Sequence, residues 1–303
     1  MDLPFHVIIK PVGDICNLDC SYCFYKEKSG AAGDFRMSAE TLETLTRRYI
    51  EEQPAGCRAV QFVWQGGEPT LAGIDFYAQA LRFQARHCRP GMRIENAIQT
   101  NGFRLDEDWF AFLETHGFQV GLSIDGRAGS HDAERRTHAG RSTHAQAVAT
   151  LRKLQARAIP VNLLAVVHAG NVADGRESYR YLRGLGADFL QFLPVIDPSP
   201  DNRFALDADD WGDFLIAVFE DWLENGLGKV SVQLFDVTFN RIAARRETLC
   251  IHARQCGRQL AVERNGEVFC CDHFVAPEFN IGNIAAAPFE AMFSGGTARE
   301  FTT

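Results

Sequence analysis

Three cysteines fall within one segment of eight residues near the start of the chain, CNLDCSYC, at Cys16, Cys20 and Cys23. Three thiolates on one short loop can ligate three irons of a cubane iron–sulfur cluster, which leaves the fourth iron open to an external ligand. An iron with an open position is a place where a reaction can occur. Two alternatives are a zinc ion, although a structural zinc site would require a fourth protein ligand, and chance clustering of the cysteines.

A second group of cysteines lies near the other end of the chain, at Cys250, Cys256, Cys270 and Cys271. Neighbouring residues of a strand point to opposite faces, so only one of Cys270 and Cys271 is expected to share a site with the other two. Three thiolates in this short segment could bind an auxiliary iron–sulfur cluster or a zinc ion.

All nine cysteines are expected to be mostly reduced. Residues 1–10, MDLPFHVIIK, lack the charged start, the long apolar core and the cleavage site of a secretory signal, which predicts a cytoplasmic protein. Disulfides are rare in that compartment, so the cysteine groups indicate metal ligation or redox chemistry. The isolated Cys57 and Cys88 are interpreted as inert thiols.

The elements that must position these groups alternate in type between Val7 and Pro194. Segments with helix signals separate six β-rich runs, and helices are expected to begin at Ser38, Asp75 and Asp106. The alternation predicts an α/β fold with a parallel sheet, either open and doubly wound or closed into a barrel. The six runs are HVIIKP, AVQFVWQ, IENAIQT, QVGLSID, PVNLLAVVH and DFLQFLP.

Polar and Gly residues follow three of these apolar runs directly. The carboxyl ends of parallel strands meet at one edge of a sheet, where ligands bind, so we expect these residues to share a polar rim. Two glycines there would let the backbone approach a ligand closely, and Glu68 would accept an ammonium group, unless the segment is a plain turn. The three segments are Trp64-Gln65-Gly66-Gly67-Glu68, Gln99-Thr100-Asn101-Gly102 and Ser123-Ile124-Asp125-Gly126.

Composition narrows the class of protein. The chain of 303 residues has 31 Lys plus Arg and 39 Asp plus Glu, hence a formal net charge of −8, with 46% hydrophobic and 23% charged residues. These values are typical of a folded protein with a sizeable core. Neither a nucleic acid nor a membrane is expected as a partner, since the sequence has no long basic run and no bilayer-length apolar stretch.

The loop CNLDCSYC resembles the C-x-x-x-C-x-x-C signature of the radical S-adenosylmethionine (SAM) enzymes. The resemblance implies a [4Fe–4S] cluster on Cys16, Cys20 and Cys23, with SAM as the external ligand of the open iron. One electron from the cluster would cleave SAM to a 5′-deoxyadenosyl radical. The fold implied by the resemblance is α/β, a partial (β/α)6 radical SAM barrel.

The same resemblance implies a set of SAM contacts. The GGEP motif would hold the SAM amino group, and Ser123 and Asp125 resemble the residues for its carboxylate and ribose. Arg135 could pair with a carboxylate or be a solvated charge, and Tyr25 could pack against adenine or fill the core. The expected cofactor contacts are Tyr25, Gln65, Gly66, Gly67, Glu68, Ser123, Asp125, Arg135 and Leu193.

Longer stretches resemble the anaerobic sulfatase-maturating enzymes, among them PFHVIIKP, CNLDCSYCFY, WQGGEPTLAG, QTNG, GLSIDG, HDAERRTHAG and FLQFLPV. Cys250, Cys256 and Cys271 match the start of that family's SPASM domain, which implies an auxiliary [4Fe–4S] cluster, and Asp272 matches its general base. The family continues with further cysteines beyond Thr303, so the chain is expected to be a fragment with an incomplete SPASM module. The expected domains are a partial barrel at 1–204, a helical bridge at 205–247 and the SPASM portion at 248–303.

The activity implied by this resemblance is the oxidation of a Ser or Cys side chain in a sulfatase polypeptide to Cα-formylglycine. The radical would remove a hydrogen atom from Cβ, Asp272 would accept a proton, and a low-potential donor such as flavodoxin or ferredoxin would supply electrons. Two alternatives remain open. The chain could be another SPASM-type peptide-modifying enzyme, for example one that makes thioether crosslinks, or a non-catalytic metal-binding module.

Overall fold

The computed structural model describes residues 4–26, 34–196, 201–244, 249–250, 253–256 and 258–302. Strands and helices alternate along most of the chain. The strands are β1 (His6–Ile9), β2 (Ala59–Trp64), β3 (Arg93–Thr100), β4 (Gln119–Ser123), β5 (Val161–Val167), β6 (Phe189–Pro194), β7 (Ser231–Val232), β8 (Gln259–Val262), β9 (Glu267–Phe269) and β10 (Asn280–Asn283). The α-helices are α1 (Ala39–Glu51), α2 (Ile74–His87), α3 (Glu107–Thr115), α4 (Ala128–Glu134), α5 (His144–Ala156), α6 (Gly175–Gly184), α7 (Ala208–Asn225), α8 (Gln233–Ala244), α9 (Phe289–Phe293) and α10 (Gly296–Thr302).

The chain divides into two compact units that each combine distant segments. The first consists of Met1–Cys16, Tyr25–Gln99 and Leu249–Thr303, and the second of Asn17–Phe24 and Thr100–Thr248.

In the first unit, the strands follow the order β10, β9, β8, β1, β2, β3. Strands β8, β1, β2 and β3 are parallel, and β9 and β10 continue antiparallel from β8. Ile9 is the register partner of Trp64 on one side and of Val262 on the other. All three side chains are fully buried, because a strand in a covered parallel sheet is apolar on both faces.

Helices α1 and α2 pack against each other in the first unit. Ser38 caps α1 by accepting a hydrogen bond from the backbone N–H of Thr41, which satisfies one of the free donors of the first turn. Apolar residues at a helical period, Leu42, Leu45, Tyr49 and Ile50, form the buried face of α1.

In the second unit, β4, β5, β6 and β7 lie in sequence order and pair in parallel. Asp106 caps α3 by accepting from the backbone N–H of Trp109. Helices α6 and α7 pack together, and the buried Asp221 of α7 accepts hydrogen bonds from Arg180 and Arg183 of α6. The ion pairs compensate a carboxylate that would otherwise be buried without a partner.

The predicted α/β fold with parallel strands is confirmed, since the six β-rich runs coincide with β1 to β6, apart from β3, which begins one residue before its run, at Arg93. Helix starts at Ser38 and Asp106 are also confirmed. The predicted start at Asp75 is wrong by two residues: Gly73 occupies the N-cap and Asp75 lies in the first turn, where its charge still favours the helix. The boundaries at 204 and 247 stay a prediction. Among the described residues, no helix has both the length and the apolar character to span a bilayer.

Candidate active site

Three polar residues in the first unit follow the ends of neighbouring parallel strands. Lys10 follows β1, Gln65 follows β2 and Glu263 follows β8. The backbone N–H of Lys10 donates to Val262 and that of Gln65 donates to Ile9, so the register of the strands continues through these residues. Residues at one register position project to the same face of a parallel sheet. We call Glu263, Lys10 and Gln65 the polar row.

Asp272 contacts two members of the polar row. Its carboxylate forms an ion pair with the Lys10 ammonium and accepts a hydrogen bond from Gln65 Nε2 at 3.1 Å. Lys10 is 1% exposed and Asp272 is 8% exposed. Breaking a buried pair by removing one partner leaves an uncompensated charge, so each of these groups needs the other.

Tyr25 contacts the other part of the polar row. Its hydroxyl donates a hydrogen bond to Glu263 Oε1, and the Lys10 ammonium lies 4.5 Å from the centroid of its ring. Burial raises the pKa of Glu263 to about 7, against the opposing effect of the Lys10 charge. Glu263 Oε2 is buried and has no hydrogen-bond partner among the described residues.

The GGEP segment after Gln65 is built against the loop that leads into the first cysteine group. The N–H of Gly67 donates to Gly13 O at 2.7 Å, and the N–H of Glu68 donates to Ile15 O at 2.8 Å. A Cβ at Gly67 would lie 2.1 Å from Ile15 O. The sequence predicts that the backbone here comes close to a ligand. At Gly67 the backbone instead comes close to the backbone of Ile15.

Glu68 is fully buried at the start of a short 3₁₀ helix, Pro69–Ala72. Its Oε1 accepts hydrogen bonds from the Thr70 N–H at 3.1 Å and the Thr70 hydroxyl at 2.6 Å, so it caps this helix. That cap fixes the carboxylate rigidly. Its expected contact with an ammonium group stays a prediction.

Replacement of Gly67 by Ala is expected to lower the free energy of unfolding by about 1–3 kcal/mol, because the added methyl group must displace the backbone of Ile15. Urea unfolding of the purified variant measures the effect. Gly56→Ala is the matched control: a Cβ there meets nothing within 4 Å, and the change should stay within about 0.5 kcal/mol. Equal stability of the two variants would contradict the predicted packing.

In the second unit, Asp125 follows the end of β4 and is 2% exposed. Its carboxylate accepts hydrogen bonds from the Tyr22 hydroxyl, from Arg135 Nε at 2.8 Å and from the backbone N–H of Val166 at 3.0 Å. Burial opposes ionisation, but the Arg135 charge and these hydrogen bonds hold the pKa of Asp125 below its usual range. Asp125 and Arg135 are thus an ionised pair, which settles that Arg135 is not a solvated charge.

His131 and its neighbour Thr143 hold the backbone of Asp125 and of Arg135, respectively. The N–H of Asp125 donates to Nδ1 of His131, and the Thr143 hydroxyl donates to the carbonyl of Arg135. Nε2 of His131 lies 3.1 Å from Thr143 Oγ1 and must carry the proton, since Nδ1 is an acceptor. Burial lowers the pKa of His131 to about 4, which keeps the ring neutral and this arrangement intact at neutral pH.

The first cysteine group lies in a loop whose backbone is hydrogen-bonded to the end of α4 and the residues that follow it. The N–H of Asp19 donates to Arg136 O at 2.7 Å, and that of Ser21 donates to Glu134 O at 3.1 Å. A turn joins Cys20 and Cys23, in which the N–H of Cys23 donates to Cys20 O. Cys16, Cys20 and Cys23 are partly exposed thiols.

The second cysteine group contains two kinds of thiol. Cys270 is 2% exposed, and burial raises its pKa to about 11, so it stays protonated. The pKa of Cys271 is raised by burial and, to a smaller extent, by Asp272 and by the thiols of Cys250 and Cys256. That only one of the adjacent pair is a ligand stays a prediction.

Both groups fit iron–sulfur clusters by donor type. No three His, Cys, Asp or Glu side chains converge tightly enough for a single metal ion in the part of the chain that the structure describes. Cluster ligands do not need to converge in this way, because each thiolate binds its own iron.

The predicted site residues thus fall into separate sets. Ser123, Asp125 and Arg135 lie in the second unit, as does the half-buried Leu193 of β6. Gln65 and Tyr25, which the sequence predicts as cofactor contacts, lie in the first unit and contact Asp272 and Glu263. Their contact with a cofactor stays a prediction. The residues that the sequence prediction missed are Lys10, Glu263, Tyr22 and His131.

Family models match the chain in two places. The radical SAM superfamily model matches residues 11–182, and the SPASM model, an iron–sulfur cluster-binding domain, matches residues 250–303. The chain is a radical SAM enzyme with a SPASM domain. Its cofactors are SAM, the [4Fe–4S] cluster that binds SAM, and auxiliary iron–sulfur clusters in the SPASM domain.

Curated relatives narrow the class further. The chain is 37% identical over 285 residues to the serine-type anaerobic sulfatase-maturating enzyme of Klebsiella aerogenes, which covers 93% of this chain and 70% of that protein. It is 31% identical over 307 residues to the cysteine-type enzyme of Clostridium perfringens, which covers 98% of this chain and 82% of that protein. The chain belongs to the family of anaerobic sulfatase-maturating enzymes.

A solved structure supports this assignment. Native anSMEcpe with bound AdoMet and the Kp18Cys peptide superimposes with a TM-score of 0.92 at 31% identity, covering 99% of this chain and 83% of that chain.

Proposed function

We propose that this enzyme oxidises a Ser or Cys side chain of a sulfatase polypeptide to Cα-formylglycine. The observation that carries the proposal is the Asp272 carboxylate, which Lys10 and Gln65 hold beside Cys271, a predicted ligand of an auxiliary cluster. When bound, the cofactors would supply the radical chemistry that removes one hydrogen atom from Cβ of the target residue, and an acceptor for one electron. Loss of one proton from the target side chain then completes the oxidation, to an aldehyde from Ser and to a thioaldehyde from Cys. Water hydrolyses the thioaldehyde to the same aldehyde and releases hydrogen sulfide.

Asp272 is the residue proposed to take this proton. A carboxylate can act as a general base only when it is ionised and within hydrogen-bond reach of the proton that it removes. The charge of the buried Lys10 compensates the negative charge of Asp272, and the hydrogen bond from Gln65 Nε2 fixes one of its oxygens. The target hydroxyl or thiol would donate to the carboxylate, whose orientation these two residues set.

The cofactor contacts are assigned by motif. Cys16, Cys20 and Cys23 would hold the SAM-binding cluster, and Cys250, Cys256 and Cys271 would contribute to an auxiliary cluster. For SAM itself, Glu68 would take the amino group, and Ser123, Asp125 and Arg135 the carboxylate and ribose. Asp125 accepts three hydrogen bonds from the protein, and a carboxylate has about four acceptor positions, so it can accept one more from a ribose hydroxyl.

The proposed partners follow from the same chemistry. A sulfatase-derived polypeptide is the substrate, and a low-potential donor such as flavodoxin or ferredoxin supplies the electron that starts each turnover. A cytoplasmic location is part of the proposal, because reduced thiols are needed to ligate the clusters.

Mass spectrometry of a treated peptide tests the proposal. The enzyme, reconstituted anaerobically with iron and sulfide, is given SAM, dithionite and sulfatase peptides that carry Ser, Cys or Ala at the target position. We expect the Ser peptide to lose two hydrogens and to react with a carbonyl reagent, with the Ala peptide unchanged. Deuterium placed at Cβ should appear in 5′-deoxyadenosine.

Other products would assign a different function. A crosslink between two residues, with no carbonyl, would identify a thioether-forming enzyme. Bound iron without release of 5′-deoxyadenosine would identify a non-catalytic metal-binding module.

A further inference from the structure

Glu263 is a buried member of the polar row, and no step of the proposed reaction is assigned to it. It is 1% exposed, follows β8, and neighbours Lys10 at the next position of the β1–β8 register. Its Oε1 accepts from the Tyr25 hydroxyl, while Oε2 has no hydrogen-bond partner among the described residues.

Lys10 therefore lies within reach of two buried carboxyl groups. Its ammonium forms an ion pair with Asp272, which also accepts a hydrogen bond from Gln65. The same ammonium lies over the ring of Tyr25, whose hydroxyl donates to Glu263. One ammonium compensates one carboxylate. If both carboxyl groups were ionised, the buried row would carry an unpaired negative charge, which is costly in a low-dielectric interior.

We propose that Glu263 is a positioning residue for Asp272, through Lys10: while it is neutral it leaves the ammonium to Asp272, and when ionised it competes for that ammonium. The inference rests on the proposed function in one respect, that Asp272 is the base. Neutral Glu263 also fits its contacts, since the carbonyl oxygen of an acid accepts from Tyr25.

The groups that face Glu263 set the pH at which this change occurs. Burial is the main cause that raises its pKa to about 7, and Asp14 raises it further, while the charges of Lys10 and Arg264 lower it. Glu263 is neutral below this value and ionised above it. The neutral fraction of an acid falls about tenfold from one pH unit below its pKa to one unit above.

The test compares wild-type holoenzyme with Glu263→Gln on either side of pH 7. The measured quantity is formylglycine formed per 5′-deoxyadenosine, which reports how well the base works once SAM is cleaved. We expect this ratio to fall up to about tenfold in the wild type as the pH rises through 7. Glu263→Gln stays neutral and still accepts from Tyr25, so its ratio should be the same at both pH values.

An infrared titration of the holoenzyme gives a readout that is independent of turnover. Wild-type protein should show a carboxylic-acid C=O band that disappears near pH 7 and is missing from Glu263→Gln. Glu278→Gln is the control, because Glu278 is exposed and outside the polar row, and it should match the wild type in both measurements.

A second variant tests the inference without changing Glu263. Arg264→Gln removes a positive charge that lowers the pKa of Glu263, so the fall in the ratio and the loss of the band should both move to higher pH. The same pH dependence in wild type and Glu263→Gln, or no titrating band, overturns the inference, as does an unchanged midpoint in Arg264→Gln. If the wild type makes 5′-deoxyadenosine but no formylglycine at any pH, the proposed function itself fails, and the role of Glu263 fails with it.

Discussion

Replacement of Cys16, Cys20 and Cys23 together with Ala is expected to reduce release of 5′-deoxyadenosine from SAM to the level of a control without enzyme. The three residues are partly exposed thiols on one loop, and they supply the protein ligands proposed for the SAM-binding cluster. Without thiolates the cluster cannot be held, and SAM has no iron to bind. Anaerobic reconstitution, an iron assay and chromatography of the nucleoside products measure the loss.

A double variant at the other two isolated thiols is the matched control. Cys57 and Cys88 form no disulfide, and each has its Sγ directed at a backbone carbonyl close to it in sequence, at Ala59 and Met92. Cys57→Ala with Cys88→Ala should therefore keep the iron content and the rate of SAM cleavage. Continued release of 5′-deoxyadenosine by the triple variant would show that the cluster is held elsewhere.

The sequence predicts the strands of this fold well because their signal is local. Five of these strands, β1, β2, β4, β5 and β6, are short runs rich in apolar residues, so both their existence and their burial can be read from a few neighbouring positions. Strand β3 instead has buried positions that alternate with less buried ones. The helix starts at Ser38 and Asp106 are also local, since a cap residue hydrogen-bonds within its own first turn. The predicted start at Asp75 is wrong because the N-cap of α2 is Gly73, which has no side chain to give a cap signal.

The polar row could not be predicted because it depends on the pairing of distant strands. Lys10, Gln65 and Glu263 each follow an apolar strand, which is a visible signal, but nothing in the sequence states that β8 pairs with β1 across about 250 residues. Only the register of β8, β1 and β2 aligns the three side chains. Asp272 was identified by resemblance, whereas its partners Lys10 and Gln65 emerge from the structure.

Gly67 shows a different limit. The motif correctly marks a position where only Gly fits, yet the atom that excludes a side chain is Ile15 O and not an atom of a ligand. A sequence can show that the backbone must come close to something without showing what that is. The same holds for Arg135, whose alternatives in the sequence, an ion pair or a solvated charge, are resolved by its burial against Asp125.

Replacement of Asp272 by Asn is expected to separate the two halves of the proposed reaction. Release of 5′-deoxyadenosine should stay within about twofold of the wild type, while the yield of formylglycine should fall about 10²- to 10⁴-fold, the usual contribution of a general base. Asn has the size of Asp, and its carbonyl oxygen can accept from Lys10. Its amide N–H can donate to Gln65 Oε1 once the Gln65 amide turns over, so the polar row should keep its shape. Mass spectrometry of the peptide and chromatography of the nucleoside, from one reaction mixture, give both quantities.

Asp34→Asn is the control for this change, because Asp34 is exposed and lies outside the polar row. It should leave both yields unchanged. An equal fall of both products in Asp272→Asn would place Asp272 at the step that cleaves SAM, and an unchanged yield of formylglycine would remove it from the reaction. A fall in formylglycine alone would show that removal of the hydrogen atom from Cβ does not need Asp272, whereas removal of the proton does. We expect this result because Lys10 and Gln65 hold Asp272 as a base.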